Sequence, residues 1–186
     1  MNVQDFIMRK RRGERISMVT CYDAWSARLI ADTAIDCVLV GDILAMVVYG
    51  HDTTLPADSA MMAAHTAAVR RGAPEKFIIG DMPFLSYRRG RDKAVENAGK
   101  LMRAGAQAVK LEGADGNIDT VRYLVESGIP VMGHLGLTPQ VGYFACRIFG
   151  KRQFAFGRFD KLLPLFGLFI ELGNRTERSQ ILRIDL

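Results

Sequence analysis

Thiols, histidines and long apolar runs are all scarce in this chain of 186 residues, and each scarcity removes a class of function. The three cysteines, Cys21, Cys37 and Cys146, are an odd number without metal-type spacing, which argues against a zinc site and a disulfide framework. Cys21 and Cys37 lie in apolar stretches, so buried free thiols in a reducing compartment are expected. The opening residues, MNVQDFIMRKRRGER, contain no apolar core of the kind a secretory signal needs. The best apolar run, LLPLFGLFI, carries Pro164 and falls far short of the roughly 20 residues of a membrane span. No GxGxxG follows the first strand-like segment, which weakens a dinucleotide-binding reading. The expectation is a cytoplasmic protein with no membrane partner.

What is present suits one globular domain with a substantial core: 49% hydrophobic and 24% charged residues. The net charge of +5 hints at nucleic acid until it is divided along the chain. Eight Lys/Arg against four Asp/Glu fall at or beyond residue 141, leaving seventeen against sixteen in the first 140 residues. The basic excess therefore belongs to the tail, which also holds seven of the ten Phe. Interleaved Arg and Phe, as in GKRQFAFGRFDK, can stack bases. Charge runs are nevertheless common in chain ends, and no nucleic-acid partner is expected.

The first 140 residues alternate strand and helix. SMVTCYD (17–23) reads as a strand and WSARLIADTA as a helix; CVLVGD (37–42) is a strand, and AMVVYGHDTTLP a loop. PADSAMMAAHTAAVRRG is a helix with Pro56 placed to open it, followed by the strand KFIIGD and the helix RDKAVENAGKLMRAG. AVKLEG is a strand, DGNIDTVRYLVESG a helix and IPVMGHLG a strand. Gly72, Gly105 and Gly128 each stand where a left-handed residue ends a helix.

Repeated βα units with doubly buried strands imply a parallel α/β fold, either an open doubly wound sheet or a (β/α)8 barrel. The missing glycine fingerprint favours the barrel. Five strands are used by residue 136, whereas a complete barrel takes about 250 residues. The barrel is therefore expected to be incomplete, with about five βα units in residues 1–140. Residues 141–186 keep neither period 2 nor period 3.6 and read as a divergent basic, Phe-rich tail; an out-of-frame end would account for the change.

Three apolar strands deliver an acid at their C-terminal ends: Asp42, Asp81 and Glu112. In a parallel α/β fold these ends share one rim, where sites are built. Period 2 along VKLE puts Lys110 and Glu112 on the interior face and Val109 and Leu111 toward the helices. Converging carboxylates repel unless a cation or proton joins them. Oxygen ligands without a Cys or His cluster favour a hard ion, Mg2+ being the ordinary choice. Lys110 suits an anionic substrate, and His134, near the end of the fifth strand, can donate to an oxyanion. Each has a plainer reading: Asp81 before Met82-Pro83 can open a turn, Asp42 can cap a loop, Lys110 can pair with Glu112, and a lone His134 can be structural. Together they favour a site. His51 is a second candidate for the rim, and His65, mid-helix, reads as structural.

These residues carry a resemblance. VGD (40–42), GHDTTLP, HTAAVRRGAP, GDMPF, RAGAQAVKLEG and GHLGLTPQ resemble the ketopantoate hydroxymethyltransferase family over residues 3–140. The resemblance implies a TIM barrel of the phosphoenolpyruvate mutase and isocitrate lyase type, usually decameric. It implies Mg2+ held by Asp42, Asp81 and Glu112, 3-methyl-2-oxobutanoate contacted by Asp42, Ile43, Asp81, Lys110 and His134, and 5,10-methylenetetrahydrofolate as one-carbon donor.

Two departures bear on activity. The family motif GDSLGM is GDILAM here, so Ile43 stands where a substrate-contacting Ser is usual and Ala45 where Gly is usual. The family's general base, a Glu on a later strand, has no clear counterpart; Glu171 in LFIELGN is a weak candidate that comes early and without a preceding helix. Impaired catalysis is expected. The alternative is a non-catalytic partial barrel that binds metal, keto acid or other subunits, its fifth strand exposed as an edge.

Overall fold

The computed structural model describes residues 1–113, 116–135, 167–171 and 181–184. Helix α1 (Val3–Arg12) opens with a capping box: the Asn2 side chain accepts from the amides of Gln4 and Asp5, and the Asp5 carboxylate accepts from Asn2 N. There follow β1 (Ile16–Thr20), α2 (Ala24–Ala31), β2 (Cys37–Val40), α3 (Leu44–Val47), α4 (Ser59–Gly72), β3 (Phe77–Asp81), α5 (Arg91–Arg103), β4 (Ala108–Glu112), α6 (Ile118–Glu126) and β5 (Val131–Leu135). Strands β1 to β5 pair in sequence order, all parallel, as half of a barrel.

Two strands fall in the stretch whose sequence shows no period. β6 (Gly167–Glu171) pairs parallel with β5, and β7 (Ile181–Ile184) pairs antiparallel with β1. The edge expected at the fifth strand is thus covered, and the seven-stranded sheet ends in β6 and β7.

Alternation along the strands separates two cores. Val38, Val40, Ile78, Val109, Leu111 and Val131 pack with the helices through Ala27, Met62, Val69, Ala98, Leu101 and Leu124. The other parity, Ile16, Met18, Cys37, Leu39, Phe77, Ile79, Ala108 and Met132, makes an interior core closed below by Phe6. The Phe6 and Phe77 rings meet edge-on, 4.8 Å between centroids. The plug at the strand N-termini leaves the opposite end as the open rim.

The structure corrects several sequence-based expectations. Leu44 and the first three residues of AMVVYGHDTTLP form the short helix α3, where four residues are too few to display a period. Pro56 does not open α4; Asp58 is its N-cap, accepting from the amides of Ala60 and Met61. Gly105 and Gly128 take the left-handed conformation expected of them, with φ of 105° and 83°. Gly72 instead remains helical. A Cβ there would stand 2.4 Å from the Ala24 carbonyl oxygen and 2.6 Å from the Ala27 Cβ, so glycine permits the close packing of α4 on α2. Cys21 and Cys37 are buried free thiols, Cys37 pushed up to about 12 by burial; Cys146 lies outside the described residues.

Candidate active site

The interior face that is apolar at the level of Phe77, Ala108 and Met132 turns polar over the last residues of the strands. Continuing that parity upward gives Asp81 on β3, Lys110 and Glu112 on β4, and His134 on β5. Register brings them side by side: Asp81 is paired with Lys110, and Glu112 with His134. Asp42 follows β2 by two residues on the same rim. All five are buried, Asp81 and Glu112 to 1% exposure.

Lys110 Nζ donates to Asp81 Oδ2 at 2.5 Å and lies 3.6 Å from Glu112 Oε1. His134 Nδ1 is 3.0 Å from the same Glu112 oxygen. The Asp42 amide makes a long 3.4 Å bond to Asp81 Oδ2, which brings the second strand's exit against the third. Asp81 Oδ1 is buried without a hydrogen-bond partner among the described residues.

The electrostatics follow from three carboxylates around one ammonium. Burial pushes Asp81 up to about 7, with Asp42 and Glu112 adding to the rise and Lys110 opposing it. Burial would lower Lys110, but Asp81, Glu112 and Asp42 outweigh it and hold the ammonium above its ordinary value. Both directions agree with an excess of negative charge in a dry site.

A divalent cation fits this charge. Asp42, Asp81 and Glu112 bring hard oxygen donors to one buried rim, and Asp81 Oδ1 has no hydrogen-bond partner among the described residues. No group of three His, Cys, Asp or Glu among the described residues closes into a cage as it stands. Mg2+ does not need one, since it is commonly held by one or two carboxylates with water and substrate completing the shell.

Ile43 is at the rim, 38% exposed, and Ala45 is fully buried beneath it. The residue at 171 ends β6, opposite Leu135 at the end of β5, so the Glu171 backbone reaches the same rim. His65 is structural, as expected: Nδ1 lies 2.5 Å from the Tyr22 carbonyl and Nε2 2.9 Å from the Tyr49 hydroxyl. His51 is exposed on the loop after α3, its amide donating to Ala45 O, and among the described residues no side-chain contact ties it to the acids.

Three residues at this rim were not anticipated. Tyr22, just past β1, has its phenol raised by burial and by the nearby Asp81 and Asp42 carboxylates. The Tyr87 hydroxyl donates to Glu112 O at 3.1 Å and accepts from Glu112 N at 3.3 Å. The Asn117 amide donates to the carbonyls of Glu112 and Gly113 at 3.1 and 3.0 Å. Tyr22 stands at the end of the strand-like SMVTCYD, Tyr87 in SYRRG between elements and Asn117 at the start of the helix-like DGNIDTVRYLVESG, and none of these settings hints at the contacts.

The family model described as ketopantoate hydroxymethyltransferase matches residues 1–153. The chain belongs to the ketopantoate hydroxymethyltransferase family. It is 59% identical over 144 residues to 3-methyl-2-oxobutanoate hydroxymethyltransferase of Coxiella burnetii (strain Dugway 5J108-111), covering 77% of this chain and 54% of that protein. The chain thus spans about half the length of the curated relative it matches. Among solved structures, 2,3-dimethylmalate lyase, a PEP mutase/isocitrate lyase superfamily member, superposes with a TM-score of 0.57 at 16% identity, covering 81% of this chain and 56% of that one. Phosphonopyruvate hydrolase in complex with oxalate and Mg2+ superposes with a TM-score of 0.51 at 12% identity, over 94% of this chain and 81% of that one. These likenesses establish the fold as that of the PEP mutase/isocitrate lyase barrels, present here as a half-barrel. Among the described residues no helix is long and apolar enough to cross a membrane.

Proposed function

We propose that this chain carries the keto-acid and metal half of a 3-methyl-2-oxobutanoate hydroxymethyltransferase site. The observation that carries the reading is the buried Asp81–Lys110–Glu112 array with its orphaned Asp81 oxygen, at the rim where Asp42 and His134 also lie. Asp42, Asp81 and Glu112 would hold Mg2+, and Lys110 and His134 also engage Glu112 Oε1. When bound, the ion polarises the keto oxygen of 3-methyl-2-oxobutanoate and makes the C3 proton removable.

The chain's own residues do the rest. Lys110, kept protonated by its acidic neighbours, faces the negative charge of the keto acid and of the enolate. His134 orients the substrate through its second ring nitrogen, with Nδ1 anchored on Glu112. Burial around Asp81 and Lys110 excludes water and strengthens each interaction. The enolate carbon bonds to the methylene carbon of 5,10-methylenetetrahydrofolate and water supplies the hydroxyl; both carbon–nitrogen bonds of that methylene break, the two nitrogens take up the protons lost from C3 and from water, and tetrahydrofolate and 2-dehydropantoate leave. A general base must take the C3 proton. Glu171 is the carboxylate at the end of β6, and the reading assigns it no more than a weak base role. Together with Ile43 in place of a substrate-contacting Ser, this makes the expected activity impaired.

The same reading has the protein acting in the cytoplasm within a homo-oligomer, a decamer as the resemblance implies, without nucleic-acid or membrane partners. Residues 1–140 form the N-terminal part of the barrel domain, and 141–186 form a divergent tail, as a frameshift near residue 140 would produce. A partial barrel that binds metal or keto acid without turnover is the second reading, favoured by Ile43. Manganese binding followed by electron paramagnetic resonance tests the metal claim: free Mn2+ should fall on adding the protein and recover with excess Mg2+. Loss of the effect in Asp81→Asn supports the ligand assignment, whereas a folded wild type that leaves free Mn2+ unchanged refutes it.

A further inference from the structure

We infer that Tyr87 is a positioning residue for the site, its hydroxyl replacing a missing strand partner at the end of β4 and thereby fixing the Glu112 carboxylate. The inference deepens the metal-site reading and rests on it for its consequence, though not for its geometry.

In a parallel ladder the N–H and C=O of one residue point to the same neighbouring strand, and residues two apart face the same way. Lys110 O accepts from Met82 N at 2.8 Å, so this edge of β4 faces β3, and the N–H and C=O of Glu112 face it too. β3 ends at Asp81 and residues 83–86 form a turn, closed by Ser86 N on Pro83 O, so no β3 residue stands opposite Glu112. The buried donor and acceptor of Glu112 would then lose their ladder partners, at a cost comparable to a lost hydrogen bond each. Tyr87, 2% exposed, returns from the β3–α5 connection and satisfies both with one hydroxyl. Leu85 adopts a left-handed φ of 60° on the way, and Ser86 N bonds to Pro83 O, so this connection is held in a defined turn.

The consequence is mechanical. Asp81 begins the connection that Tyr87 terminates on Glu112, so two proposed ligands are tied together through six residues of chain and one phenol. Asn117 shares the Glu112 carbonyl from the start of α6 but does not reach the amide. Removing the Tyr87 hydroxyl should therefore free the Glu112 N–H specifically and let the carboxylate drift from Lys110 and His134.

Residue-resolved hydrogen exchange on the full chain, with and without Tyr87→Phe, tests this. In the wild type the Glu112 amide should be protected; exchange at the unprotected rate would overturn the inference without any variant, so a failure of Tyr87→Phe to fold does not shield it. In Tyr87→Phe, Glu112 should exchange roughly fivefold faster while β2 and β3 amides keep their rates. Mn2+ should bind about tenfold more weakly, a change that lowered stability alone would not produce well below the unfolding temperature. Unchanged exchange at Glu112, or unchanged Mn2+ affinity in a wild type that binds it, contradicts the inference. A wild type that does not bind Mn2+ sinks the metal reading instead, and Glu112 exchange then decides Tyr87 by itself.

Discussion

Asp81 and Lys110 face each other across β3 and β4, and their side chains form a close ionic contact at the rim, Nζ to Oδ2 at 2.5 Å. Both are essentially out of water. A buried pair of this kind contributes little over an apolar replacement, but breaking it from one side strands a charge. Lys110→Met should lower the urea-derived stability by about 3–5 kcal/mol. Adding Asp81→Leu should recover part of the loss. A single variant as stable as the wild type would mean that Asp81 is already protonated and the pair is not ionic.

Acid sensitivity should arise at the other end of the barrel. The Asp36 carboxylate accepts from Ser17 N, Ser17 Oγ and Arg9, tying α1 and β1 to the entry of β2. Burial opposes its ionisation, but the two bonds from Ser17 and the Arg9 guanidinium prevail and hold its carboxyl below the usual value. The stabilisation is therefore complete above the unfolded-state value of about 3.9 and is lost as pH falls through the lower folded value. Asp36→Asn should be less stable at neutral pH and should lose less further stability between pH 5 and 3, to be followed by thermal unfolding at stepped pH. An acid limb as steep in the variant as in the wild type would rule Asp36 out as its source.

Ile43 is half exposed, so changing it disturbs little of the core. Ile43→Ser should tighten 3-methyl-2-oxobutanoate roughly fivefold, the return of one hydrogen bond, with stability nearly unaltered. Weaker binding in the serine variant would mean that the isoleucine side chain itself contacts the ligand.

Deuterium incorporation at C3 of the keto acid, followed by NMR with Mg2+ and no folate, separates binding from proton abstraction. With Asp42, Asp81 and Glu112 committed to the cation and Lys110 protonated, the expected rate is that of buffer. Metal-dependent exchange abolished by Glu171→Gln would reveal a working base at the end of β6.

Much of this site was legible because period 2 survives to the strand ends: Phe77-Ile79-Asp81 and Ala108-Lys110-Glu112 declare both their face and the point where it turns polar. The half-barrel was legible for the same reason, through strands buried on both faces. What could not be read depends on contacts without a period. Tyr87 meets Glu112 from 25 positions away because β3 stops at Asp81, one pairing short of Glu112, and Asp58 rather than Pro56 caps α4 because a carboxylate happens to reach two amides. Gly72 illustrates the limit from another side: glycine at a helix end suggests a left-handed cap, while the actual constraint is the Ala24 carbonyl across the α2–α4 contact.

The central claim is that buried rim carboxylates hold a cation to which the keto acid binds. Isothermal titration of 3-methyl-2-oxobutanoate into the full chain, with Mg2+ and then with excess chelator, measures it most directly. The account predicts binding with Mg2+, none with chelator, and none for Asp81→Asn under either condition. Equal binding with and without Mg2+, or no binding to well-folded wild type, would contradict it.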